Sequence, residues 1–158
     1  MNKRIVKYGV LIGIVVAITV FIFSNSIRSY DASRNTSDAV SEIILPNEYA
    51  TNEAISLLIR KIAHLVEYAA LGCAVMLVVL AFRNDAGKML YGTGLFYVLA
   101  VAVIDEHIQS FSDRTSSTGD IILDFGGALI GFLVSWLVVK LYTARIRRCK
   151  KTDRRQLP

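Results

Sequence analysis

The 158 residues contain no nucleophile motif, no phosphate-cradling glycine loop and no His/Cys pair at metal-ligand spacing. Enzymes recognisable by a local signature are therefore not indicated, and no cofactor or metal is expected. Cysteine is nearly absent. Cys73 falls in an apolar block and Cys149 in a basic tail, places too far apart for a disulfide to join them. Net charge is +5 with a pI of about 9.4, yet aromatic residues do not interleave with the basic ones and no nucleic-acid-binding module accompanies them. Nucleic acid is thus not an expected partner.

Apolar residues are abundant: 54% of the chain is hydrophobic and its mean hydropathy is +0.48. The excess sits in four blocks, at about residues 5–23, 62–82, 89–108 and 121–142. Each comes near the roughly 20 residues that cross a bilayer core of about 30 Å. Lipid offers the backbone no hydrogen-bond partner, so each block should be helical. The predicted fold is all-α: a four-helix transmembrane bundle using residues 1–158 as a single domain, with a basic cytoplasmic tail at 143–158.

Orientation follows from the lysines and arginines in short loops. Lys3, Arg4 and Lys7 precede the first block, Arg83 and Lys88 lie between the second and third, and eight from Lys140 to Arg155 follow or close the fourth. These thirteen oppose five on the other side: Arg28, Arg34, Arg60, Lys61 and Arg114. The larger set belongs inside, which makes both termini cytoplasmic in a bacterial cell membrane and leaves the tail on anionic lipid. A cleaved leader is the alternative for the first block, but Ser24-Asn25-Ser26-Ile27-Arg28 supplies no small-x-small cleavage site. The first outer loop runs from Ser24 to about Lys61. It carries an apolar patch at Val40, Ile43, Ile44 and Leu45, stopped by Pro46, and a second helical start at Thr51 or Asn52. A short amphipathic helix at the outer surface fits these patches, as does an amphipathic lead-in to the second span.

Charged residues inside spans are costly and are by default functional candidates. With this topology they gather at one depth. Lys61, His64 and Tyr68 lie in the outer half of the second span, Asp105, Glu106, His107 and Gln109 near the outer end of the third, and Asp120 and Asp124 at the outer start of the fourth. Lys61, His64, Tyr68 and Gly72 form one helical stripe; Asp105 and Gln109 share a face from which Glu106 and His107 turn progressively away. Asp120 and Asp124 lie above Gly127 and Gly131, a small-xxx-small surface that admits a second helix. A shared outward-facing polar pocket follows. Each residue also has a plainer reading. Arg60 and Lys61 can snorkel, His64 and Tyr68 can be an interface pair, His107 an interfacial residue, and Asp120 a helix N-cap. Asp124 lies one turn further in and needs a partner, with Lys61, His64 and Arg114 the available bases.

On these residues the chain resembles the VanZ-like family of small bacterial membrane proteins. The matching segments are Phe23-Ser24-Asn25-Ser26; Lys61, His64, Tyr68, Leu71 and Gly72; Asp105-Glu106 with Gln109; and Arg114 with Asp120, Asp124, Gly127, Ala128 and Gly131, over about residues 20–135. Ser26 stands where the family commonly has glutamine, and Asp124 where it commonly has asparagine, which adds a charge. The resemblance implies an association with resistance to glycopeptide antibiotics, teicoplanin in particular, lipid-tailed molecules that act outside the cell membrane.

Two functions stay open at this point. In one, the pocket binds or modulates a membrane lipid, a lipid-linked cell-wall precursor or the lipoglycopeptide itself. Lys61 and Arg114 would meet phosphate or carboxylate, and Asp105, Gln109 and Asp124 hydroxyl or amino groups. In the other, the chain is a membrane-embedded hydrolase or transferase with His64 as general acid or base, oriented by Asp105 or Glu106, and Tyr68 or Arg114 stabilising developing charge. A metal version using His64, Asp105, Glu106 and Asp124 lacks support from a close His/Cys pair.

Overall fold

The computed structural model describes residues 3–27, 53–86, 90–111 and 118–153. They form four helices: α1 (Lys3–Ser26), α2 (Glu53–Ala86), α3 (Tyr91–Ser110) and α4 (Thr118–Asp153). All of the described secondary structure is helical. Three stretches are long and apolar enough to cross a membrane: Arg4–Ser26 (mean hydropathy 2.5), Leu57–Arg83 (2.3) and Thr118–Arg148 (2.1). The third apolar block becomes α3, which has 20 residues and does not join that group. Asp105, Glu106 and His107 in its last turns dilute its apolar character, and two of those three side chains point inward instead.

Helix α2 corrects the boundary drawn from the sequence. Glu53–Ala86 is one continuous helix of 34 residues, so the second helical start and the second span are a single element, with Ala54–Lys61 as its lead-in. The apolar patch at Val40–Leu45, Pro46, Cys149 as a side chain, and Arg114 lie outside the described residues. At the other end α4 continues past the apolar block to Asp153, carrying its basic residues on helix.

The helices alternate in direction. Near the start of α1, Tyr8 donates to the Ala81 carbonyl at 3.4 Å and stacks at 4.7 Å on Phe82, close to the end of α2. Arg83 donates to the Tyr91 hydroxyl at 3.1 Å, at the start of α3. At the far end, Ser26 closes α1 against Asp105, near the end of α3. Midway, Thr19 and the Tyr97 hydroxyl share a hydrogen bond of 2.9 Å.

The tightest packing joins α2 to α4, and small residues make it possible. A Cβ on Gly72 would fall on the Ala128 carbonyl oxygen, one on Gly131 on the Ala69 carbonyl oxygen, and one on Gly127 would stand 2.6 Å from the Leu65 carbonyl oxygen. Backbone thus meets backbone along three successive turns, the close approach that small residues permit between membrane helices. Cys73 adds a thiol hydrogen bond of 3.1 Å to the Gly131 carbonyl. Around this seam Ile22, Tyr68, Leu71, Met76 and Val98 are fully buried. The outer surface is apolar as well: Val20, Phe96, Ile122 and Leu133 are exposed, as expected of side chains meant for hydrocarbon.

Candidate functional site

Only one end of the bundle buries polar groups. Ser26, Asp105, Glu106, Gln109 and Asp124 are the buried polar side chains among the described residues, and they come from α1, α3 and α4. Their placement follows from the helix directions: α1 and α3 finish at this end, while α2 and α4 start there. Each contributes its polar turn to one layer.

Asp105 stands at the centre and has no exposed surface. Ser26 donates a hydrogen bond to its Oδ1, and Gln109, one turn further along α3, donates to its Oδ2 at 3.1 Å. Gln109 also reaches the Ser26 hydroxyl at 3.5 Å. The carboxylate is therefore held by two neutral donors from two helices. Across from it, the His64 Nδ1 lies 4.0 Å from Asp105 Oδ2 and 3.8 Å from Asp124 Oδ1. Asp124 is 2% exposed, and its Oδ1 has no hydrogen-bond partner among the described residues. The only basic side chain that pairs with Asp105 or Asp124 among the described residues is His64. Together the three offer one metal-ligating atom each, all within 4.8 Å of one another.

The remaining expected residues arrange themselves around this centre. Tyr68, one turn beyond His64 on α2, is fully buried, with its hydroxyl near Asp105 and Asp124. Lys61 pairs with Asp120 at 3.2 Å on the rim, where the two side chains are 57% and 33% exposed. In that setting the pair contributes little to stability. Asp120 is the third residue of α4, inside its first turn. It complements the helix dipole there and does not take the N-cap position considered for it. Arg60 is partly buried.

Two residues of α3 separate. Glu106, expected to turn away from the Asp105–Gln109 face, is nonetheless only 4% exposed. His107 is exposed and packs edge-on against Phe111 at 5.0 Å, away from the cluster. One further contact went unnoticed in the sequence: Asn25 donates to Glu67 Oε1 at 2.9 Å. Glu67 is a carboxylate inside an apolar span, and that alone was a signal for it.

The profile of the VanZ/LLP1 family matches residues 10–139. The chain belongs to this family. The match covers the three helices that build the cluster, the end of α1 that supports it, and the α2–α4 seam beneath it. No curated protein and no solved structure matches the chain. For a VanZ/LLP1 chain the presence of Asp124 matters chemically. It places a second buried carboxylate against His64, where an asparagine would have been a neutral partner.

Proposed function

We propose that this VanZ/LLP1 protein uses the cluster around His64 to bind the polar end of a membrane-held amphiphile on the outer side of the bacterial membrane. The ligand class is a lipid headgroup, a lipid-linked cell-wall precursor or a lipid-tailed glycopeptide of the teicoplanin type. Binding there would modulate how the cell responds to such antibiotics. The observation that carries this reading is the confinement of buried polar groups, among the described residues, to one end of a bundle whose flanks expose apolar side chains. A ligand with a polar head and an acyl tail matches that division. In this reading α3 is a fourth crossing, since its 20 residues span about 30 Å at 1.5 Å per residue. The termini are cytoplasmic, and Lys61 and Asp120 form the rim that the head meets first, with Tyr68, Gln109 and Asp124 deeper.

A second reading is favoured by one feature, the imidazole set between two carboxylates. His64 with Asp105 has the composition of an acid–base pair, and a hydrolase or transferase acting on a lipid-linked substrate would employ it. Glu106, also buried, would be the alternative orienting carboxylate.

The binding reading is tested with protein in lipid nanodiscs and fluorescent teicoplanin. Saturable uptake above that of empty nanodiscs is expected, and His64→Ala should weaken it by about tenfold or more, about 1.4 kcal/mol. Equal uptake by empty and loaded nanodiscs overturns the reading. Orientation is tested separately with single cysteines at positions 33 and 152, in a background carrying Cys73→Ser and Cys149→Ser. An impermeant thiol reagent on intact cells should label Ser33→Cys and spare Thr152→Cys; the reverse pattern inverts the topology.

A further inference from the structure

We infer that His64, Asp105 and Asp124 form a binding site for a divalent transition-metal ion of the zinc or manganese type. Three helices supply the three ligands, one atom each, within 4.8 Å of one another. The individual separations discriminate between two arrangements. At 3.8 and 4.0 Å from the carboxylate oxygens, His64 Nδ1 is beyond the roughly 2.7–3.2 Å of a hydrogen bond. Two ligands about 2.0–2.2 Å from a shared ion and at the tetrahedral angle of about 110° lie some 3.3–3.6 Å from each other. The two separations from His64 thus need a few tenths of an ångström of contraction to bind an ion, and the two carboxylates must draw together as well.

An independent observation points to the same ligand. Asp124 is almost wholly buried, and its Oδ1, the oxygen directed at His64, has no hydrogen-bond partner among the described residues. Burying a carboxylate without a partner costs several kcal/mol. One imidazole cannot neutralise both Asp105 and Asp124, and Lys61 is taken by Asp120 at the rim. A divalent cation neutralises both. Asp105, moreover, already has the support that metal-binding carboxylates characteristically receive, since Ser26 and Gln109 fix its orientation.

Donor chemistry narrows the ion. One imidazole nitrogen with two carboxylate oxygens suits Zn²⁺, Mn²⁺ or Fe²⁺, whereas Mg²⁺ and Ca²⁺ favour oxygen throughout. Three protein ligands leave at least one coordination position for water or for an oxygen of a bound headgroup. The site does not depend on the identity of that headgroup.

The test uses the full chain purified in detergent, stripped with a chelator and titrated with zinc chloride by calorimetry. One zinc per chain is expected, with a rise in unfolding temperature that grows with free zinc. His64→Ala and the isosteric Asp124→Asn should each weaken binding by about tenfold or more and reduce the thermal shift. His107→Ala, which removes the exposed histidine, should leave both unchanged. Thermal unfolding of the metal-free variants shows whether each is folded, and Asp124→Asn decides the matter if His64→Ala is not. Absence of saturable zinc binding by the wild type overturns the site. So does zinc affinity equal to wild type in folded Asp124→Asn, or affinity lost in His107→Ala. Zinc binding with no uptake of teicoplanin would leave this site standing and sink the ligand reading alone.

Discussion

His64→Ala, Asp105→Ala and Arg114→Ala should each abolish the protection against teicoplanin that the proposed function entails, while the protein remains in the membrane at normal levels. Insertion depends on the apolar length of the spans, and removing a charged or polar group eases it if anything. Loss of function at unchanged abundance therefore locates the working site. Asp105→Ala is the most informative of the three. It removes the acceptor shared by the hydroxyl of Ser26 and the amide of Gln109, both buried and left with each other at 3.5 Å, at a cost of about 1–3 kcal/mol. A fall in its abundance with His64→Ala unaffected would assign Asp105 to stability and His64 to the ligand. Immunoblots of membrane fractions beside a susceptibility assay separate these outcomes. Full protection by all three variants at normal abundance would remove the cluster from the function.

Gly131→Ala should be more damaging to the fold than any substitution in the cluster. The added Cβ coincides with the Ala69 carbonyl oxygen. That obstacle is main chain, so no rotamer change can clear it and the two helices must separate. Overpacking of a tight core typically costs about 1–3 kcal/mol, and more when backbone has to move; a loss of about 3 kcal/mol or more is expected here. Gly126→Ala is the matched control, one residue before the seam glycine Gly127 and with nothing within 4 Å of the new methyl. Its effect should be neutral to slightly stabilising, by up to about 1 kcal/mol, because alanine favours the helix over glycine. Thermal unfolding in detergent, or resistance to added denaturing detergent, reads both. Equal stability of the two variants would mean that α2 and α4 are not in backbone contact.

The sequence made some of these features legible and hid others, for physical reasons that differ residue by residue. Gly127 and Gly131 announce a close helix approach because their spacing of four repeats on one face, and α2 does meet that face. His64, Tyr68 and Asp124 were singled out because polar residues in apolar helices are conspicuous, and the layer they share follows from helix direction and length. The relation of His64 to two carboxylates was not legible. It depends on how α2, α3 and α4 rotate about their axes, and ligands drawn from three helices leave no spacing pattern in the chain. For the same reason the metal version of the site, with His64, Asp105, Glu106 and Asp124, finds no support in the spacing of the chain. The burial of Glu106 was not legible because helical angles give direction without saying what lies there. The junction at Glu53–Lys61 was ambiguous because a capping residue before apolar residues marks a helical start without showing whether the helix continues into the next span.

The seam between α2 and α4 has one more consequence, for precision. His64 immediately precedes Leu65, whose carbonyl meets Gly127, and Asp124 lies one turn before that glycine. The gap between imidazole and carboxylate is therefore gauged by main-chain contact and does not rest on the give of long side chains. Asp105 is registered differently, through hydrogen bonds to Ser26 and Gln109. Two of the three polar groups consequently stand at a separation that thermal motion of the helices changes little. Whatever enters between them meets a jaw whose backbone frame is set in advance; side-chain rotation alone closes the last few tenths of an ångström, so little ordering entropy is lost at the moment of capture.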